Sequence, residues 1–134
     1  MEVGVTGSSG FLGSHLTNAL HQKTKFQVTT LKRNSSKKFP SINELKSFVE
    51  NLDLIYHVAG VNRGTNEEIF EGNIQATFNL LEAIRKYGNS SPRIIFTSSS
   101  QVYKKTKSPK ELVTESYKAD PATLFGVAKK TAED

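Results

Sequence analysis

The sequence predicts an α/β fold: a doubly wound parallel sheet between helical layers, α/β/α, in the Rossmann-like manner. Three observations predict it. Short apolar runs alternate with stretches of helical apolar spacing along the chain. Two of the runs, residues 54–59 (LIYHVA) and 93–97 (RIIFT), are almost continuously apolar, as expected of strands buried on both faces. The first run passes through a tight glycine turn directly into a helix, in residues 3–16, VGVTGSSGFLGSHL.

The elements follow in order. The run Val3-Gly4-Val5 reads as the first strand, and Phe11, Leu12 and Leu16 open a helix. Residues 26–31, FQVTTL, are β-branched and apolar and read as the second strand. Ser35 to Ser41 is a polar turn region. Ser41 with Glu44 three positions on has the spacing of a capping box, and Ile42, Leu45, Phe48, Val49 and Leu52 follow at helical intervals. After the strand at 54–59 comes a loop, then a long helix from Glu67 to Tyr87 with apolar Ile69, Phe70, Ile74, Phe78, Leu81 and Ile84, stopped by Gly88. The strand at 93–97 leads into a polar loop over 104–120, and Pro121 is expected to start a last helix. No repeat, low-complexity tract or linker splits the 134 residues, so they read as one domain.

Composition narrows the function. There is no cysteine, hence no disulfide framework, thiolate nucleophile or cysteine metal site. No His/Asp/Glu spacing suggests a metal. The apolar start breaks at Gly7 with no basic segment before it, and no apolar run nears a membrane span, so a cytoplasmic protein without membrane contact is expected. The net charge is +5, and basic residues cluster in Lys32–Lys38, Lys104–Lys107 and Lys129-Lys130. Aromatic residues are not interleaved with these clusters, which argues against nucleic acid and for a phosphate-bearing small ligand or solvated loops.

The chemistry is concentrated where a parallel sheet gathers it, at the carboxyl ends of the strands. Gly7, Gly10 and Gly13 follow a strand and open a helix. That arrangement allows a sharp turn, close approach of backbone N–H groups to a pyrophosphate, and close helix–sheet packing. Around the end of the second strand the sequence reads Leu31-Lys32-Arg33-Asn34, with no carboxylate for a ribose 2′-hydroxyl. Arg33, aided by Lys32, Lys37 or Lys38, suits a 2′-phosphate, so NADP is expected over NAD. Thr97-Ser98-Ser99-Ser100 would place hydroxyls in the crevice. Phe125 and Lys129 lie one helical turn apart. Lys129 either reaches a ribose or is a surface lysine. His57 reads as a hydrogen-bonded core histidine, while His15 and His21 read as surface or packing residues. Asn73, a poor helix former inside the long helix, is a cap, a surface residue or a crevice residue.

Taken together these motifs resemble the extended short-chain dehydrogenase/reductase family of nucleotide-sugar epimerases, dehydratases and reductases. They are Thr6-Gly7-x-x-Gly10-x-x-Gly13, Asp53-x-x-x-His57-x-Ala59-Gly60, Asn73 with Thr77-x-Asn79-Leu80-Leu81-Glu82-Ala83, Thr97-Ser98-Ser99-Ser100-x-Val102-Tyr103, and Pro121-x-x-x-Phe125-Gly126-x-x-Lys129. Residues 59–63, AGVNR, and the short link before Asp53 are similar to a narrower group, the capsular-polysaccharide reductases that reduce a 4-keto UDP-amino-sugar with NADPH.

The resemblance implies roles residue by residue. Gly7, Ser9, Gly10, Phe11 and Leu12 would form the pyrophosphate loop, and Ala59 and Gly60 would lie beside the cofactor's riboses. Ser99 would hold the reacting sugar oxygen, and Lys129 the nicotinamide ribose. Asn62, Asn73, Ser99 and Ser100 are the implied substrate contacts.

Two departures stand out. Phe125 occupies the family's tyrosine position and has no hydroxyl to act as acid or base, so impaired catalysis is expected. The alternative is a non-catalytic dinucleotide-binding module. The family also continues into further strands and a substrate domain, so residues 1–134 are expected to be an incomplete, N-terminal part. The unpaired sheet edge this implies invites association, and a homodimer is a candidate assembly.

Overall fold

The computed structural model describes residues 1–23, 25–31, 38–108 and 110–134. Four strands, β1 (Glu2–Thr6), β2 (Gln27–Thr30), β3 (Leu54–His57) and β4 (Arg93–Phe96), form one parallel sheet in the order β2-β1-β3-β4. The register sets Thr6 beside His57 and His57 beside Phe96 at the carboxyl edge.

Strand alternation divides the core in two. Val3 and Val5 of β1, with Leu54 and Tyr56 of β3, pack under Leu16 and Leu20 of α1 (Phe11–His21). On the other face Ile55 packs with Phe48 and Val49 of the short α2 (Lys46–Val49), and with Leu80 and Ala83 of α4 (Ala76–Tyr87). Val3, Val5, Ile55 and Leu80 are fully buried, each worth roughly 1.5–3 kcal/mol relative to exposure. Between β1 and α2 the contact is close because Gly4 has no side chain: a Cβ there would stand 2.4 Å from Leu52 Cδ1. This is the expected three-layer Rossmann-like arrangement.

The long helix begins as α3 (Asn66–Phe70), passes through one π-helical turn at Glu71–Gln75, and continues as α4. Its start is a capping box that the sequence reading did not single out. Glu68 N–H donates to Thr65 Oγ1, and Thr65 N–H donates to the Glu68 carboxylate. The last helix is α5 (Leu124–Glu133). Among the described residues no helix is long and apolar enough to cross a membrane.

Four local expectations are corrected. Residues 42–45 form irregular turns with mixed three- and four-residue hydrogen-bond spans, so only Lys46–Val49 is α-helical. Ser41 does not cap that helix, since both its N–H and its hydroxyl donate to the Glu44 carboxylate. The last helix starts at Leu124 rather than Pro121, because Thr123 is extended and its Oγ1 accepts from Gly126 N–H at 3.0 Å. Finally, β4 is not buried on both faces: Ile95 is 43% exposed, because the α1-side core reaches only as far as β3.

Candidate functional site

β1 ends at Thr6, and Gly7 then takes φ +71°, a conformation open to glycine at no steric cost. Gly10 N–H donates to the Gly7 carbonyl at 3.0 Å and closes the turn. A Cβ on Gly13 would stand 2.1 Å from that same carbonyl oxygen, so the helix can follow the turn this closely only with glycine there. Gly10 stands at the start of α1 and, having no side chain, leaves the helix uncapped. The first-turn N–H groups are therefore free, and with the positive end of the helix dipole they form an anion cradle.

Facing the cradle are Val58, Ala59 and Gly60 after β3 and Thr97 after β4, which together enclose a cavity of about 330 Å³. The structure thus brings Gly7, Ser9, Gly10, Phe11, Leu12, Ala59 and Gly60 to one crevice. Arg33, Lys32 and Lys37 lie outside the described residues. Lys38 is placed elsewhere: it lines a larger cavity of about 610 Å³, between Phe39, Phe70 and Leu124, where its ammonium lies 3.0 Å from the Glu71 carboxylate.

Against Gly60 and Thr97 of the crevice lie Lys129 of α5 and Asn73 of the π turn. Thr123 donates to Gln101 Oε1 at 2.7 Å, and Gly126 lies so close to the Gln101 carbonyl that a Cβ would stand 2.4 Å away. These contacts fix α5 against the Ser100–Val102 turn and aim Lys129 at the end of β4. Lys129 is 4% exposed, so it is not a surface lysine. Its ammonium donates to the Thr97 carbonyl at 3.0 Å and lies over the rings of Phe96 (4.7 Å) and Phe125 (5.9 Å). Burial lowers its pKa, and Glu133 offsets part of that shift.

Asn73 sits inside the π turn and is 1% exposed, so it is not a surface residue. Its Nδ2 donates to the carbonyls of Val61 (2.7 Å) and Ile69 (2.8 Å), and its buried Oδ1 has no hydrogen-bond partner among the described residues. Gly72 makes this possible. A Cβ there would lie 2.3 Å from Val61 Cγ2, so the loop after β3 can rest on the helix. A glycine in mid-helix was the available signal for that close approach.

The serines after β4 divide. Ser99 Oγ accepts from Gln101 N–H at 3.1 Å, which leaves its own hydroxyl proton free. Ser98 Oγ is buried and has no hydrogen-bond partner among the described residues, and Ser100 is exposed at the start of the turn. Asn62 is exposed on the loop before α3. His57 is buried, with its pKa lowered to about 4 by desolvation first and by the Lys129 charge second. His15 and His21 are exposed.

The profile of the NAD dependent epimerase/dehydratase family matches residues 3–134. The chain belongs to the NAD dependent epimerase/dehydratase family. Its curated relatives include the UDP-2-acetamido-2,6-beta-L-arabino-hexul-4-ose reductase of Pseudomonas aeruginosa, 37% identical over 135 residues, covering all of this chain and 30% of that protein. An uncharacterized UDP-glucose epimerase, YtcB, of Bacillus subtilis is 31% identical, covering 99% of this chain and 50% of its own length. The chain therefore spans between about a third and a half of these curated relatives.

Among solved structures, UDP-glucuronic acid 4-epimerase from Bacillus cereus in complex with NAD superposes with a TM-score of 0.81 at 25% identity, over 99% of this chain and 50% of that one. RMD from Pseudomonas aeruginosa complexed with NADPH gives 0.80 at 25% identity, over 98% and 46%. One of these two structures holds NAD and the other NADPH.

Proposed function

We propose that residues 1–134 form the dinucleotide-binding domain of a protein that transfers hydride at a carbonyl carbon of a nucleotide sugar, with NADP preferred over NAD. The observation that carries this reading is the glycine cradle, in which Gly7 and Gly13 leave no room for a side chain and the first turn of α1 is uncapped. An uncapped helix start behind a side-chain-free turn fits a pyrophosphate. The basic run from Lys32 to Lys38 supports NADP, since guanidinium and ammonium groups suit a 2′-phosphate. The names of the relatives support a nucleotide-sugar substrate.

A bound nicotinamide would give or take the hydride. The chain's own residues orient and hold. Lys129 would donate to the ribose beside Gly60. Ser99, with its hydroxyl proton uncommitted, would donate to the sugar oxygen. Ser100, Asn62 and Asn73 would complete the substrate side. Phe125 brings a ring without a hydroxyl to within 5.9 Å of Lys129 Nζ, which removes one route for proton transfer. That observation favours a second reading, a dinucleotide-binding module without turnover.

Calorimetric titration with NADPH and with NADH tests the primary reading. Tighter NADPH binding supports both the cradle and the Arg33 assignment. Preference for NADH overturns the 2′-phosphate argument and leaves the cradle standing. Binding of neither overturns the cofactor reading for this chain.

A further inference from the structure

The reaction proposed above gives His57 no role, yet its ring is buried at the carboxyl edge of the sheet, between Thr6 and Thr77. It is the last residue of β3, in register with Thr6, the residue before the glycine turn. Both ring nitrogens are bonded: Nδ1 lies 2.7 Å from Thr6 Oγ1, and Nε2 lies 3.1 Å from Thr77 Oγ1. Two further bonds fix the direction of the whole chain. The Thr77 hydroxyl donates its only proton to the Asn73 carbonyl at 2.7 Å, so it must accept from His57 Nε2–H. A neutral imidazole then has Nδ1 as acceptor, and the Thr6 hydroxyl donates to it. Thr6 Oγ1 in turn accepts from Ala59 N–H at 3.1 Å.

The result is one continuous run: Ala59 N–H to Thr6, Thr6 to His57, His57 to Thr77, Thr77 to Asn73. One end is a backbone amide of the cradle wall. The other is the π turn that carries Asn73. Burial of an apolar side chain at position 57 would fill the same space, but it would leave two threonine hydroxyls without these partners and the two ends unconnected.

We infer that His57 is a positioning residue: as the neutral Nε2–H tautomer, it ties the cradle wall at Ala59 to the π turn at Asn73 and so holds both for the dinucleotide. This rests on the dinucleotide reading given above.

The test uses Thr77, which lies outside the cavity lining. Thr77→Val keeps the shape and removes the hydroxyl, while Thr77→Ser keeps the hydroxyl. Both variants and the wild type are titrated with NADPH well below their melting temperatures, and the His57 tautomer is read from side-chain ¹⁵N shifts. The expected result is NADPH binding weaker by about tenfold in Thr77→Val, near-wild-type binding in Thr77→Ser, and a single Nε2–H tautomer in the wild type. A folded Thr77→Val that binds as well as wild type, or an Nδ1–H tautomer in the wild type, overturns the inference while the dinucleotide reading stands. If Thr77→Val does not fold, the tautomer measurement and Thr77→Ser decide: an Nδ1–H ring, or Thr77→Ser binding weakened despite its hydroxyl, overturns the inference. A wild type that binds neither NADPH nor NADH overturns the dinucleotide reading, and this inference falls with it.

Discussion

Asn73 Oδ1 and Lys129 Nζ converge over the bare α-carbon of Gly60, each 2.9 Å from the point where a Cβ on that residue would stand. The two differ in their freedom to move. Lys129 ends a flexible chain, whereas the Asn73 amide is pinned by the two bonds its Nδ2 donates. A side chain at position 60 therefore acts mainly on Asn73. Gly60→Ala is expected to cost about 1–3 kcal/mol, as overpacking of an interior does. Urea denaturation measures it, and an unchanged midpoint would contradict the crowding.

Gly13→Ala strikes the cradle. Its added Cβ would meet the backbone of Gly7, with the carbonyl oxygen 2.1 Å away, and backbone cannot step aside as a side-chain tip can. We expect about 1–3 kcal/mol of lost stability. NADPH affinity, measured by calorimetry, should fall as the turn opens.

Acid should weaken the fold through His57. Its pKa is about 4 in the folded chain against an ordinary 6.5. Between those values the unfolded chain takes up a proton that the folded chain refuses, so stability is complete above about pH 6.5 and is lost as pH falls toward 4. The full difference is about 3 kcal/mol. Denaturant midpoints recorded from pH 7 to 4, compared between wild type and His57→Gln, isolate the contribution, and parallel curves would refute it.

Removing the Lys129 charge should raise the pKa of His57. Desolvation is the larger cause and remains, so in Lys129→Met the value should climb yet stay below 6.5. An NMR titration of the imidazole follows this. No movement would mean that the two sites do not sense each other.

Phe125→Tyr puts a hydroxyl back on the ring that Lys129 overlooks. Made in the full-length protein, and assayed with a 4-keto nucleotide sugar and NADPH, it should raise turnover by ~10²–10⁴-fold if proton transfer is what the phenylalanine withholds. Turnover that stays absent favours the binding module.

What could be read from residues alone was what local chemistry dictates. Gly7, Gly10 and Gly13 announce themselves because few backbones need three small residues at that spacing after a strand. Residues 54–57 and 93–96 declare strands through almost continuously apolar runs. The helix at 42–52 was over-read, since apolar residues at helical spacing also suit a series of turns that put Leu45, Phe48 and Val49 into one core. Asn73 was visible as a misfit in its helix, but the π turn that houses it depends on how the loop at Val61 packs, which periodicity does not encode. The His57 chain was illegible for a related reason. Thr6, His57 and Thr77 are distant in sequence, and only strand register and helix docking make them neighbours.

The π turn at Glu71–Gln75 carries a consequence for how this region tolerates insertions and deletions. It behaves as a single surplus residue lodged in an otherwise regular helix. Losing one residue there would restore ordinary helical hydrogen bonding and would improve the local geometry. It would also swing one half of the helix by about 100° against the other, so that Ile69 and Leu80, both buried now, could not both keep facing the interior. A shortened gene that looks harmless in an alignment would thus exchange a locally better helix for the loss of the buried asparagine that holds the loop at Val61.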